Sequence, residues 1–376
     1  MQTDTRCVHS GSYFDKTTGG INTPIFTSSA YDYRDREETP YPRYFNTVNQ
    51  EAVVEKLCAL EGAEGGILFS SGMAAMSTSI LALADAGDHV VLMDALYGGT
   101  HAFVTDTLER LGIGYAFAAT SAAAIAAAVT DRTRVIVIES PTNPLLTIVD
   151  IAEVARFARS RGITTIMDNT FATPINQTPL ALGIDIVVHS GTKYLGGHSD
   201  MCCGAALSSR LQVEKILHLA RHLGGSLNAA SCYLLERSLK TLALRVGRQT
   251  ANAGQIADYL AGHAQVRRVC YPGLKNDPGH DLARAQMTGF GAMLSFDLDA
   301  QRAPSDRFLK QLRLIRPAVS LGGVETTICA PAVTSHAKMS AEERARIGVT
   351  DDLLRLSVGI EDPDDLLEDL ERALAD

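Results

Sequence analysis

No basic cluster, no long apolar run and no Cys-x-x-Cys spacing occurs in this chain of 376 residues. The formal net charge is -9 and the lysines and arginines are scattered, which disfavours a nucleic-acid partner. No apolar stretch approaches the roughly 20 residues that cross a bilayer, so no membrane partner is expected. The opening residues, Met1-Gln-Thr-Asp-Thr-Arg6, lack the charged-then-apolar pattern of an export signal. Seven cysteines, an odd and scattered set, argue against a disulfide scaffold or a zinc site. Reduced thiols, a cytoplasmic location and no metal are expected. Repeats and low-complexity tracts are absent as well. What remains is an ordinary globular composition, 46% apolar and 20% charged, long enough for a large core.

Three segments differ in pattern. Residues 1–46 are rich in Thr, Ser, Tyr and Pro without a long helical period, and read as an extended arm. Residues 47–240 alternate apolar runs with helical stretches. Strands are predicted over 66–69, 89–93, 134–138, 163–167 and 184–188, and helices over 73–83, 122–129 and 151–161. Continuous apolar strands alternating with helices predict an α/β unit, a mostly parallel central sheet with helices on both faces. In residues 241–376, helical stretches at 251–261 and 366–374 frame predicted strands at 291–296 and 353–358, a smaller C-terminal α+β domain.

The chemistry gathers at the ends of the predicted strands. The run His189-Ser-Gly-Thr-Lys-Tyr194 places Ser190, Thr192 and Lys193 directly after one of them. Asp168 closes the one before it. A lysine that condenses with an aldehyde, hydroxyls that hold a phosphate and a carboxylate that pairs a pyridinium nitrogen are what pyridoxal 5'-phosphate requires of a protein. Each has a plainer reading: a surface lysine, a turn aspartate, a helix cap. Their placement at successive strand ends, facing one crevice, favours the cofactor. Ser70-Ser-Gly72-Met73 links a strand to a helix whose free amides suit a phosphate, or is simply a cap. Tyr97 can stack on a flat ring or pack a loop. Tyr41 and Arg43 lie in the arm, where an arginine fork can grip a phosphate. Arg355 stands inside a predicted strand, where a charge needs an anionic partner; a substrate carboxylate or an edge salt bridge would serve.

These stretches, together with Glu139-Ser-Pro-Thr-Asn143-Pro144, Asp168-Asn-Thr-Phe171, Leu239-Lys-Thr-Leu242, Tyr271-Pro-Gly-Leu274, Ser320-Leu-Gly-Gly-Val-Glu325 and Leu354-Arg-Leu-Ser-Val-Gly359, resemble the Cys/Met-metabolism family of pyridoxal-phosphate enzymes. Its members are cystathionine γ-synthase, cystathionine and methionine γ-lyases and O-acylhomoserine sulfhydrylases, and the likeness covers nearly the whole chain. The resemblance implies the fold-type-I architecture. It implies Lys193 as the covalent cofactor lysine and catalytic base, and Asp168 on the pyridinium. Tyr97 would stack on the ring and assist catalysis. Gly72, Met73, Ser190 and Thr192 would hold the phosphate, joined by Tyr41 and Arg43 from a neighbouring subunit. Asn143, Ser320 and Arg355 would position the cofactor oxygen and the carboxylate of a small amino-acid substrate. A homotetramer of site-sharing dimers follows.

The reaction implied is α,γ-elimination from a sulfur-containing or γ-substituted L-amino acid, as in a methionine or cystathionine γ-lyase, giving a 2-oxo acid and ammonia. The alternative is γ-replacement, as in a cystathionine γ-synthase or O-acylhomoserine sulfhydrylase. Two departures bear on the substrate. Gly99 stands where methionine γ-lyases typically carry a cysteine, and Val319 where cystathionine enzymes usually carry a glutamate. The second is expected to bias the chain away from cystathionine.

Overall fold

The computed structural model describes residues 1–375 other than 300, 302, 336, 338 and 339, so position 376, the end of the third segment, lies outside the described residues. Seven strands form the larger sheet: β1 Gly65–Phe69, β2 His89–Met93, β3 Gly114–Ala118, β4 Thr133–Glu139, β5 Thr164–Asp168, β6 Ile186–Ser190 and β7 Gly204–Ser208. Their order is β1-β7-β6-β5-β4-β2-β3. Strands β3, β2, β4, β5 and β6 pair in parallel, and β7 runs antiparallel between β6 and β1. The expected mostly parallel sheet is therefore present, with one reversed strand inserted.

Both faces of this sheet are covered. Leu68, Ala205 and Leu207 enter one core with Val53, Leu57 and Leu60 of the helix Val48–Glu61. Their neighbours Ile67, Phe69 and Ala206 enter another with Ala75, Met76 and Ile80 of the helix Gly72–Leu81. That alternation is the period-two geometry of a strand buried on both sides. Local chemistry sets where the helices begin. The Thr47 amide donates to the Gln50 side chain at 3.0 Å, half of a capping box. The Ser71 hydroxyl accepts the Ala74 amide at 3.0 Å.

The second sheet has five strands: β8 Val266–Cys270, β9 Met293–Leu298, β10 Arg316–Pro317, β11 Thr327–Cys329 and β12 Leu353–Ser357, in the order β10-β11-β12-β9-β8. All pairs are antiparallel except β10 with β11. The helices Leu242–Ala261 and Pro363–Leu374 bury Ile256, Leu260, Leu366 and Leu370 in the same core as β9 and β12.

The first 46 residues depart from a plain extended arm. Thr3–His9 is an α-helix, and Lys56 ties it down by donating to the carbonyls of Cys7 and Val8 at 3.0 and 3.3 Å. Beyond it the segment exposes Phe14, Ile21 and Tyr33.

Candidate active site

The parallel strands β4, β5 and β6 end side by side, and their last residues, Glu139, Asp168 and Ser190, open onto one cavity of about 530 Å³. Ligands bind at this carboxyl edge of parallel sheets because the loops there leave a crevice. Gly72, Met73, Tyr97 and Asn143 line the cavity, as do Thr192, Lys193, Ser320 and Arg355. A second cavity of about 590 Å³ lies between the loop 145–148 and β8, and has no lysine among its lining residues.

Lys193 follows β6, and its Nζ donates to Ser320 Oγ at 2.7 Å. Burial, then the nearby Arg355 guanidinium, pushes its amine below the ordinary lysine range. Both effects enlarge the neutral, nucleophilic fraction. Ser320 holds a left-handed φ of +77°, a conformation that costs energy in a non-glycine residue and marks functional sites.

Asp168 accepts the Thr170 amide at 3.0 Å. Burial pushes its carboxyl up, while the Thr170 hydroxyl and amide and the charges of His189 and Lys193 pull it back. A cationic ring nitrogen beside it would do the same. Behind Asp168 a buried network locks the strand ends. The carboxylate of Glu61 accepts from Asn169 at 2.9 Å and meets His189 Nε2 at 2.6 Å. Gln177 bonds Asn169 at 3.0 Å and the Ser140 carbonyl at 2.8 Å.

The end of the cavity at Gly72 is built of backbone and small side chains. The helix Gly72–Leu81 points its first amides into the cavity rim. A Cβ on Gly72 would lie 2.7 Å from Ser190 Cβ, so only glycine lets this helix start approach the end of β6. The Ser190 amide is held by Thr170 Oγ1 at 2.8 Å. The Thr192 hydroxyl is partly engaged with the Cys203 backbone, at 3.1 and 3.3 Å.

At the other end Arg355 comes from β12, in the second sheet. Its Nη1 donates to Asn143 Oδ1 at 2.9 Å and its Nη2 to the Ser320 carbonyl at 3.2 Å. Its Nε is buried without a partner, and no carboxylate pairs with it among the described residues. A buried guanidinium with unfilled donors is a site for an anion. The odd charge in the predicted strand is thus explained: the strand delivers it to the crevice.

Tyr41 and Arg43 are not in this chain's own cavity. Arg43 donates to the Arg221 carbonyl and lies 5.1 Å from the Tyr44 ring centroid. Tyr41 and Tyr44 meet edge to face, with centroids 5.2 Å apart.

Pattern reading passed over Glu139 and Thr170 as site residues. Glu139 is buried and accepts the Tyr97 amide at 3.0 Å. The signal available was a carboxylate closing an apolar strand, the same signal that exposed Asp168.

A lysine, a half-buried aspartate, a helix start and an arginine without a carboxylate partner in one crevice meet the demands of an aldehyde cofactor bearing a phosphate. Comparison with known proteins agrees. The family described as Cys/Met metabolism PLP-dependent enzyme matches residues 4–375. The chain belongs to that family. It is a PLP-dependent enzyme of the carbon–sulfur lyase and γ-synthase group, and pyridoxal 5'-phosphate is its cofactor. A cystathionine γ-lyase of Bacillus subtilis (strain 168) is 43% identical, over 100% of this chain and 99% of its own. A cystathionine β-lyase of Lactococcus lactis subsp. cremoris (strain MG1363) is 42% identical, over 98% of each. A solved cystathionine γ-synthase from Xanthomonas oryzae pv. oryzae, in complex with aminoacrylate and cysteine, superposes with a TM-score of 0.94 at 37% identity, covering 100% of this chain and 98% of that one. No helix among the described residues is long and apolar enough to cross a membrane.

Proposed function

We propose that this enzyme is a γ-lyase, removing the γ-substituent of a sulfur-containing or otherwise γ-substituted L-amino acid to give a 2-oxo acid and ammonia. The observation that carries the reading is one desolvated amine, Lys193 Nζ, tethered to Ser320 Oγ at 2.7 Å, in the same cavity as Arg355. Elimination at Cγ needs protons removed from Cα and then from Cβ, and a lysine on a flexible stem can reach both. Gly72, Met73, Ser190 and Thr192 would hold the cofactor phosphate, Asp168 its ring nitrogen and Tyr97 its face. Bound there, the cofactor supplies an electron sink for charge developing at Cα. Arg355, steadied by Asn143, would orient the substrate carboxylate, and the Tyr97 hydroxyl would give a proton to the departing group.

The distal wall supports a small or weakly charged leaving group. Tyr97, Val319, Thr334 and Ser335 line it, and its carboxylates, Glu139 and Asp168, lie at the strand ends instead. A Cβ on Gly99 would stand 2.5 Å from the Tyr97 ring, so this ring lies where a methionine γ-lyase cysteine would displace it. Val319 is 68% exposed, which softens the expected bias against cystathionine: a distal ammonium there keeps most of its water. Val319→Glu is accordingly expected to raise kcat/KM for cystathionine over O-acetylhomoserine by about threefold, the ~0.6 kcal/mol of an exposed ion pair. A competition assay with both substrates reads that ratio.

Replacement of the γ-substituent by a thiol is the second reading, supported by the likeness to the Xanthomonas γ-synthase. Measuring 2-oxo acid release with and without added thiol separates the two. Release that requires no thiol supports elimination; release suppressed in favour of a thioether product would overturn it.

The arm is proposed to complete the site of a second copy, in dimers that pair into tetramers of a cytoplasmic enzyme. Its exposed Phe14, Ile21 and Tyr33, and the distance of Arg43 from its own cavity, support this. Inactive Arg43→Ala and inactive Lys193→Ala chains, mixed and allowed to exchange, are expected to regain up to about a quarter of wild-type activity. Half of the dimers are then hybrids, and one site in each is intact. No recovery despite demonstrated exchange would contradict site sharing.

A further inference from the structure

Two carboxyl groups end adjacent strands on the cavity floor, and the reaction scheme uses one of them. Glu139 closes β4 in register with Asp168 on β5, so the two side chains project from the same face of the sheet. Glu139 is 5% exposed and lines the cavity. It accepts the Tyr97 amide at 3.0 Å, and the nearby Asn143 amide also favours its anion. Those amides belong to the loops that follow β2 and β4. One carboxyl therefore holds the loop of the ring-stacking tyrosine and lies beside the loop of the asparagine that steadies Arg355. We propose that Glu139 is a positioning residue that holds the proton of the Glu139–Asp168 pair, clamping the Tyr97 and Asn143 loops while leaving Asp168 as the anion of the cavity floor.

The donors around the two groups sort them. Adjacent carboxyls, one buried and one half-buried, cannot both be charged without a penalty, so the pair keeps one proton. Asp168 has the hydroxyl and amide of Thr170 and the charges of His189 and Lys193 to favour its anion. Glu139 has the two amides, with Arg355 acting on it more weakly. Burial, then the charge of Asp168, pushes the Glu139 carboxyl well above the ordinary glutamate range. The charged groups that reach Glu139 are Asp168 from β5 and Arg355 from β12; Lys193 acts on it through Asp168. The inference rests on the reading of this cavity as the reaction site and deepens it, and neither of its readouts requires turnover.

Glu139→Gln removes the titration and keeps an acceptor for the amides. Glu139→Ala removes both. A carboxyl raised in the folded state contributes stability below its unfolded value and loses it as pH climbs toward the folded one. Glutamine has no such loss. The melting temperature of the Glu139→Gln holoenzyme is therefore expected to match wild type near about pH 5 and to exceed it by a margin that grows up to about pH 8. The cofactor dissociation constant, read from its visible band during dilution, is expected to rise about tenfold in Glu139→Ala, with at least half of that loss restored in Glu139→Gln. A Glu139→Gln margin that is flat or shrinks with pH would overturn the proton assignment. So would a Glu139→Gln chain that does not fold, because glutamine matches the protonated side chain in shape and charge. Cofactor affinity in Glu139→Ala equal to wild type, or equally poor in both variants, would overturn the clamp.

Discussion

Lys193→Ala is expected to abolish measurable turnover, a loss of at least about 10⁴-fold, while the chain still folds and still binds the cofactor through its phosphate. The side chain ends in the cavity, with Ser320 as its hydrogen-bond acceptor, and supports no neighbouring element. Truncating it leaves Ser320 free and frees Asp168 of one favourable charge. The helix start at Gly72 and the Ser190 hydroxyl remain, so phosphate anchorage persists. The variant should bind cofactor that dialysis removes. In the wild type, borohydride treatment followed by peptide mapping should mark Lys193. Label on a different lysine would sink the assignment.

Arg355→Leu is expected to lower kcat/KM by about 300-fold, mostly through KM, because a buried charge pair loses about 3–4 kcal/mol when one partner goes. Arg355 is 5% exposed, with Nη1 on Asn143 and Nη2 on the Ser320 carbonyl, which leaves Nε for an incoming carboxylate. Arg355→Lys should recover only part of this, since an ammonium lacks the planar fork. A second effect has a definite sign. Arg355 is the next largest influence, after burial, holding the Lys193 amine down. Removing it lets that amine rise toward the ordinary lysine range. The limb of the pH–rate profile that reports a free lysine should then move to higher pH. Unchanged KM together with an unmoved limb would remove Arg355 from the site.

Much of this was legible because the strands that carry the chemistry are fully buried. Runs such as Ile166–Met167 and Ile186–Val188 are apolar, so the polar residues that follow, Asp168 and His189-Ser190, stand out. Arg355 was visible for the same reason, as a charge inside an apolar strand. Strand β7 was not legible. Gly204-Ala-Ala-Leu-Ser208 has the small residues of a turn or helix, and the structure explains them: a Cβ on Gly204 would stand 2.2 Å from the Ser71 carbonyl. The strand begins against the start of the helix Gly72–Leu81, and at Gly204 there is no room for a side chain. The helix Thr3–His9 was hidden because it is only seven residues long and Cys7 is its buried position. Glu139 closes an apolar strand as Asp168 does, but its pairing with Asp168 depends on cross-strand register, which the linear sequence does not display. The partnership of Arg43 is of the same kind, fixed by assembly rather than by local pattern.

Cystathionine reports γ-cleavage at this cavity directly, since the molecule carries a β-carbon and a γ-carbon on the two sides of one sulfur. Incubation with the purified holoenzyme, followed by mass spectrometry of the products, decides which bond breaks. A γ-lyase gives 2-oxobutanoate, ammonia and cysteine in equal amounts, formed without added thiol, and these are the expected products. Pyruvate and homocysteine in their place would contradict γ-cleavage, because those products require cleavage at the β-carbon.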